Sequence, residues 1–146
     1  MSNKKVLFKR IHSEAIMPKY QTELSSGFDL HSVESTTLEP FSRKLISTGL
    51  QLAYLDPSLE IQIRPRSGLA LKSGLTVLNS PGTIDADYRG EIKVILYNTS
   101  NEKVHINKGD RIAQAVITQV ERVNIAETST IDETSRGSEG FGSTGK

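Results

Sequence analysis

The chain of 146 residues is 36% hydrophobic and 24% charged, carries a formal net charge of +1 and contains no cysteine. That length builds one domain around one core. The near-neutral charge excludes a broad electrostatic field for nucleic acid or an anionic membrane, and the lack of cysteine excludes disulfides, thiolate metal sites and a cysteine nucleophile.

The opening MSNKKVLFKRIH has no apolar run long enough for a signal peptide, and no stretch of the sequence could span a bilayer. A mean hydropathy of -0.34 suits a soluble protein, and the lack of cysteine is compatible with a reducing cytoplasm, so a cytoplasmic protein is expected, with neither membrane nor nucleic acid as partner. Short strands rich in β-branched and aliphatic residues are predicted over 6–11, 28–33, 44–55, 59–63, 75–78, 91–98 and 111–120. Leu59-Glu60-Ile61-Gln62-Ile63-Arg64 alternates as a half-buried strand should, with Arg64 on the solvated side. Turn signals at Asp56-Pro57, Ser80-Pro81-Gly82, 98–101 and Asn107-Lys108-Gly109-Asp110 separate the runs. The one plausible helix is short, over 67–73. Many short, closely spaced strands predict an all-β, jelly-roll-like sandwich or barrel.

Three stretches hold unusual chemistry. In PRSGLA (65–70), Ser67 is placed to cap the short helix and Arg66 to grip a phosphate in bidentate fashion; an ordinary capped helix with a surface arginine reads the same way. In NSPGTIDADYRGEIKV (79–94), a turn, two carboxylates (Asp85 and Asp87), an aromatic (Tyr88) and a returning strand form one hairpin-like unit. The carboxylates could bind a metal, act as a base or face solvent. No histidine stands beside them, so a protein cage for a metal is not expected; Mg²⁺ arriving on substrate phosphates fits better, and one aspartate could then orient a water. Asn79 suits turn chemistry or a base edge. Tyr88 suits a core or a sugar-facing ring. Gln114, on an otherwise apolar strand, needs a partner. His12, His31 and His105 are scattered and read as structural.

From Glu133 onward the composition turns to Gly, Ser and Thr, predicting a flexible arm (133–146) after a β domain (1–132). Arg136 and Phe141 suit a lid better than a solvated tail. The terminal Gly140-Phe-Gly-Ser-Thr-Gly145-Lys146 approaches a Walker pattern. It lacks the preceding strand, the Ser or Thr after the lysine and the following helix, so a P-loop is rejected.

Five segments in order, SSGFDLHS (25–32), PRSGLA (65–70), GTIDADYRGEI (82–92), KGDRIAQAVI (108–117) and RGSEGFGSTG (136–145), resemble the trimeric dUTP pyrophosphatases, or dUTPases. The family often has Ala-Gly-Tyr-Asp-Leu in the first; here it is Ser26-Gly27-Phe28-Asp29-Leu30. The resemblance implies a jelly-roll-like subunit, a homotrimer with active sites shared among three chains, and Mg²⁺-assisted hydrolysis of dUTP to dUMP and pyrophosphate. That reaction keeps uracil out of DNA and supplies dUMP for thymidylate synthesis.

Carried over residue by residue, the resemblance implies that Asn79 and the segment from Gly82, Thr83 and Ile84 through Lys93 read uracil. Tyr88 would lie under the deoxyribose. Asp85 would contact the 3′-hydroxyl and orient the attacking water, and Arg66, Ser67, Gly68 and Gln114 would hold phosphates. Asp29 would support the metal through water. Arg136, Phe141, Gly142, Ser143 and Thr144 would close over the substrate. The alternatives are a dCTP deaminase of the same fold and a non-catalytic nucleotide-binding jelly-roll module. A deaminase needs an acid/base residue at the base ring, whereas Asp85 to Gly90 and the Phe141 arm match the hydrolase pattern.

Overall fold

The computed structural model describes residues 3–143 and 145. Ten strands and one helix run in the order β1 (Val6–Arg10), β2 (Phe28–His31), β3 (Thr36–Leu38), β4 (Arg43–Leu55), β5 (Leu59–Arg64), α1 (Ser67–Ser73), β6 (Leu75–Val77), β7 (Gly82–Ile84), β8 (Glu91–Asn98), β9 (Val104–Ile106) and β10 (Arg111–Gln119). Two four-stranded sheets, ordered β1-β4-β8-β6 and β2-β10-β5-β7, are joined by a two-stranded ribbon, β3-β9. The described chain is therefore all-β apart from one short helix, as its short, closely spaced strand patterns predict. No helix among the described residues is long and apolar enough to cross a membrane.

Alternation places the core. In β5 the pattern buries Ile61 and Ile63, and in β8 it buries Ile92, Val94, Leu96 and Asn98. The apolar side chains among these meet Phe28 and Leu30 from β2, Ala113 and Ala115 from β10, and Ile46, Leu50, Leu52 and Leu55 from β4 in one cluster. Each fully buried aliphatic side chain stabilises the fold by roughly 1.5–3 kcal/mol. The buried polar exception on β8 is Asn98, whose amide donates to the carbonyls of Leu38, Glu39 and Glu102 and so ties these loop ends together.

Strand β4 is the long spine. It pairs with β1 on one side and β8 on the other, and its register with β8 slips between Ser47 and Gln51. The Glu91 carboxylate fills that slip, accepting from the Gly49 N–H at 3.2 Å and from the Ser47 hydroxyl at 3.4 Å. Thr48 donates to the Ile92 carbonyl at 2.6 Å. The start of β8 is thus pinned by side chains where the backbone ladder lapses.

The structure corrects two expectations. The segment 79–94 is not a hairpin. Strand β7 pairs with β5 in one sheet, whereas β8 pairs with β4 and β6 in the other. Residues 85–90 therefore cross between sheets instead of reversing within one. Nor does Ser67 cap the helix. The capping position is Arg66, extended at φ -97 and ψ 129, with no side-chain cap, and Ser67 is the first helical residue. Helix α1 ends at Gly74, whose φ of 65 is left-handed and whose N–H reaches the Ala70 and Leu69 carbonyls.

Candidate active site

The crossing from β7 to β8 walls a cavity of about 290 Å³. Asn79, Gly82, Thr83, Ile84, Asp85, Tyr88 and Lys93 line it together with Ile63, Ile92 and Val94. Polar chemistry thus comes from one turn, and a dry floor comes from the two sheets. The turn is closed on itself. The Tyr88 N–H donates to the Asp85 carbonyl at 3.1 Å, and the Tyr88 hydroxyl donates to the Glu91 carbonyl at 2.8 Å. The Arg89 guanidinium donates to the carbonyls of Ala86 and Tyr88, and the Gln51 amide donates to the Arg89 carbonyl. Tyr88 stays 43% exposed, so its ring is a surface wall and not core. Asp85 is exposed, and among the described residues no side chain hydrogen-bonds or pairs with its carboxylate. Lys93 pairs with Glu91 at 3.4 Å.

A second, polar cavity of about 370 Å³ gathers Asp29, Arg66, Ser67, Gly68 and Gln114. Strand pairing explains the convergence. Gln114 on β10 stands in register with Asp29 on β2 and with Arg64 on β5, two residues before Arg66. Gln114 finds the partner its strand position demands, donating to the Pro65 carbonyl at 3.0 Å. The Asp29 carboxylate takes the Arg66 guanidinium at 3.0 Å and that of Arg111 at 3.5 Å, with its own side chain only 12% exposed. The guanidinium groups of Arg66 and Arg111, held side by side by the Asp29 carboxylate, offer their remaining N–H donors to an anion with several oxygens.

Beside this cluster, His31 has a buried Nδ1 with no hydrogen-bond partner. Burial holds its imidazole below the usual histidine pKa; the Asp29 charge opposes that shift, and the Arg111 and Arg66 charges reinforce it.

Apart from the arm, the expected site residues therefore fall into two concavities. Gln114 is in register with Arg64 on β5, and Gly82 on β7 with Ile63. The arm joins neither. Segment 120–143 contains no strand or helix, and Phe141 is 114% exposed. The Arg136 guanidinium donates to Glu139 within the same segment at 3.0 Å. Thr144 lies outside the described residues.

Sequence reasoning missed Arg111, Gln21, Ser25 and Ser26, which also line the second cavity. Arg111 opens β10 as an unremarkable charged residue; only its placement opposite β2 brings it to Asp29. Glu91 was missed because its task is set by a lapse in the β4 ladder, which leaves no local signal.

Comparison with known proteins decides the family. Residues 13–145 match the model of the dUTPase family. The chain belongs to the dUTPase family. It is 56% identical over 142 residues to the deoxyuridine 5′-triphosphate nucleotidohydrolase of Nautilia profundicola, covering 97% of this chain and 99% of that protein. The dUTPase of Staphylococcus bacteriophage 80alpha with dUpNHpp superposes with a TM-score of 0.87 at 26% identity, covering 99% of this chain and 100% of that one. A mutant dUTPase from phage phi11 of S. aureus, described with a structural Mg(II) ion, superposes with a TM-score of 0.81 at 21% identity, covering 88% and 99%. The dUTPase-like sandwich accounts for both cavities, since each sits where chain segments leave the sheets.

Proposed function

We propose that this dUTPase hydrolyses dUTP to dUMP and pyrophosphate. The observation that carries the reading is the small cavity at the sheet crossing. At about 290 Å³, lined by Asn79, Asp85 and Tyr88 over apolar sheet residues, it suits a nucleoside. The phosphates would then meet the Arg66–Asp29–Arg111 cluster of a second subunit, which is chemically suited to them.

In this reading Asn79 and the backbone of Gly82, Thr83, Ile84 and Lys93 meet the uracil edge. A wall too close for a C5 methyl discriminates by roughly 1–3 kcal/mol, and unpaired buried groups reject cytosine more strongly. Tyr88 packs against the deoxyribose where a 2′-hydroxyl would sit. Asp85 contacts the 3′-hydroxyl and orients a water onto the α-phosphorus. Arg66, Ser67, Gly68 and Gln114 hold phosphate oxygens, so catalysis is positioning plus charge neutralisation.

Among the described residues no cluster of three metal-binding side chains exists, and Asp29 is already engaged by two arginines. That donor set fits Mg²⁺ only as a hydrated ion carried by the substrate, met by Asp29 through water and supplying charge neutralisation on the phosphates. The dCTP deaminase and non-catalytic alternatives are not favoured.

The same reading includes a homotrimer with composite sites. Arg136, Phe141, Gly142, Ser143 and Thr144 would then close over a neighbouring subunit's substrate, and 133–146 is the closing arm. Supporting this, among the described residues no arm side chain lines either concavity of its own subunit. The enzyme acts in the cytoplasm, where nucleoside triphosphates are found.

The test is pyrophosphate release with Mg²⁺ from dUTP, dTTP, dCTP and UTP. Turnover of dUTP alone is expected; equal turnover of all four would remove the specificity argument, and none would remove the hydrolase. Arg66→Ala is expected to raise KM for dUTP about tenfold to a hundredfold, the loss of a charge-assisted phosphate contact, with discrimination between dUTP and UTP unchanged. Steady-state kinetics on both nucleotides reads both effects, and an unaltered KM would take Arg66 out of the phosphate site.

A further inference from the structure

Gly90 reads from the sequence as punctuation before a strand. Its surroundings assign it more. A Cβ built on Gly90 would lie 2.3 Å from the Tyr88 hydroxyl oxygen, 2.5 Å from Cζ and 2.9 Å from Cε2. All three nearest atoms belong to one side chain, which therefore occupies the volume where another would begin. Gly90 has no left-handed φ, unlike Gly49 or Gly74. The demand at this position is for space, not for backbone freedom.

The ring is held in that seat. Its hydroxyl donates to the Glu91 carbonyl at 2.8 Å. Glu91 is itself fixed through its carboxylate to Gly49 and Ser47 on β4. Tyr88 thus folds back over its own chain, seated at Gly90 and tethered at Glu91, and β4 sets the height of the seat.

We propose that Gly90 is a specificity-determining residue: the missing side chain seats the Tyr88 ring and thereby sets how strongly the enzyme rejects a 2′-hydroxyl. This rests on the reading of Tyr88 as the sugar-facing wall. A methyl at position 90 displaces the ring and breaks its tether to Glu91. Gly90 acts as a positioning residue, so its whole effect passes through Tyr88.

A double-mutant cycle with a ligand-free readout tests it. In Gly90→Ala, the kcat/KM ratio of UTP to dUTP is expected to rise about tenfold, on the order of one excluded group. In the Tyr88→Ala background, which already lacks the wall, adding Gly90→Ala is expected to leave that ratio unchanged. A merely structural role would cost activity in both backgrounds, which would overturn the proposal.

The chain has 4 tyrosines and no tryptophan, so ring-labelled tyrosine NMR resolves the seat without nucleotide. The Tyr88 resonances are expected to move in Gly90→Ala; unmoved resonances, or an unmoved substrate ratio, also overturn it. If the single variant fails to fold, folding of the Gly90→Ala/Tyr88→Ala pair supports the seat, and failure of the pair refutes it. Absence of dUTP turnover in the unmodified enzyme would instead refute the hydrolase reading, and the NMR arm separates the two failures.

Discussion

Asp85→Asn is expected to lower kcat for dUTP by about 10²–10⁴-fold, the usual contribution of a positioned acid–base group, while dUTP still binds. The substitution is isosteric. It keeps an oxygen for the 3′-hydroxyl and removes only the second carboxylate oxygen and its charge. Nothing in the subunit leans on that carboxylate: among the described residues it takes part in no ion pair and no side-chain hydrogen bond. The Tyr88 N–H bonds to the Asp85 main-chain carbonyl, which the substitution leaves in place, so the turn keeps its shape. The loss therefore falls on kcat, with the dissociation constant measured by calorimetry nearly unchanged. Near-normal pyrophosphate release would remove Asp85 as the group that orients water, and a parallel loss of binding would make it a substrate-holding residue instead.

Deleting 133–146 is expected to cut kcat/KM by about a hundredfold while the melting temperature stays put. The stability half follows from burial. Strand β10 ends at Gln119, and the described residues from 133 on are exposed apart from half-buried Gly140. Surface changes of that kind stay within about 0.5 kcal/mol. The activity half follows from closure: a lid that excludes water and completes the phosphate contacts is worth on the order of a hundredfold through positioning. Phe141, wholly exposed, and Arg136, bonded within its own segment, have no task in a lone subunit. Calorimetric melting and pyrophosphate release on the same preparation read both halves. Full activity would make the segment a tail, and a lowered melting temperature would make it part of the fold.

The strands were legible because alternation is local. Leu59-Glu60-Ile61-Gln62-Ile63 announces its buried face without reference to any partner, and β5 buries Ile61 and Ile63 accordingly. Helix α1 matched its expected span for the same reason. Strands β3, β7 and β9 escaped notice because each is defined by its neighbour in the ladder and not by a pattern of its own. The candidate site was legible as residue types: Asp85, Tyr88, Arg66 and Gln114 stand out as polar or aromatic groups at turns and on an apolar strand.

Partnership between distant segments was out of reach of the linear chain. The span 79–94 looks like a hairpin because a turn lies between two strand-like runs, yet β7 and β8 enter different sheets; pairing is set by packing against strands far off in the chain, about which the turn carries no information. Arg111 reaches Asp29 across 82 positions of chain, and Glu91 reaches Gly49 across 42. Residue chemistry and periodicity therefore determine which elements form and which groups hold catalytic potential. The folded sheets alone determine that a cavity opens at a crossing between them, that two arginines share one aspartate, and that a Cβ at Gly90 would meet the Tyr88 ring, because each depends on atoms that only packing brings into contact.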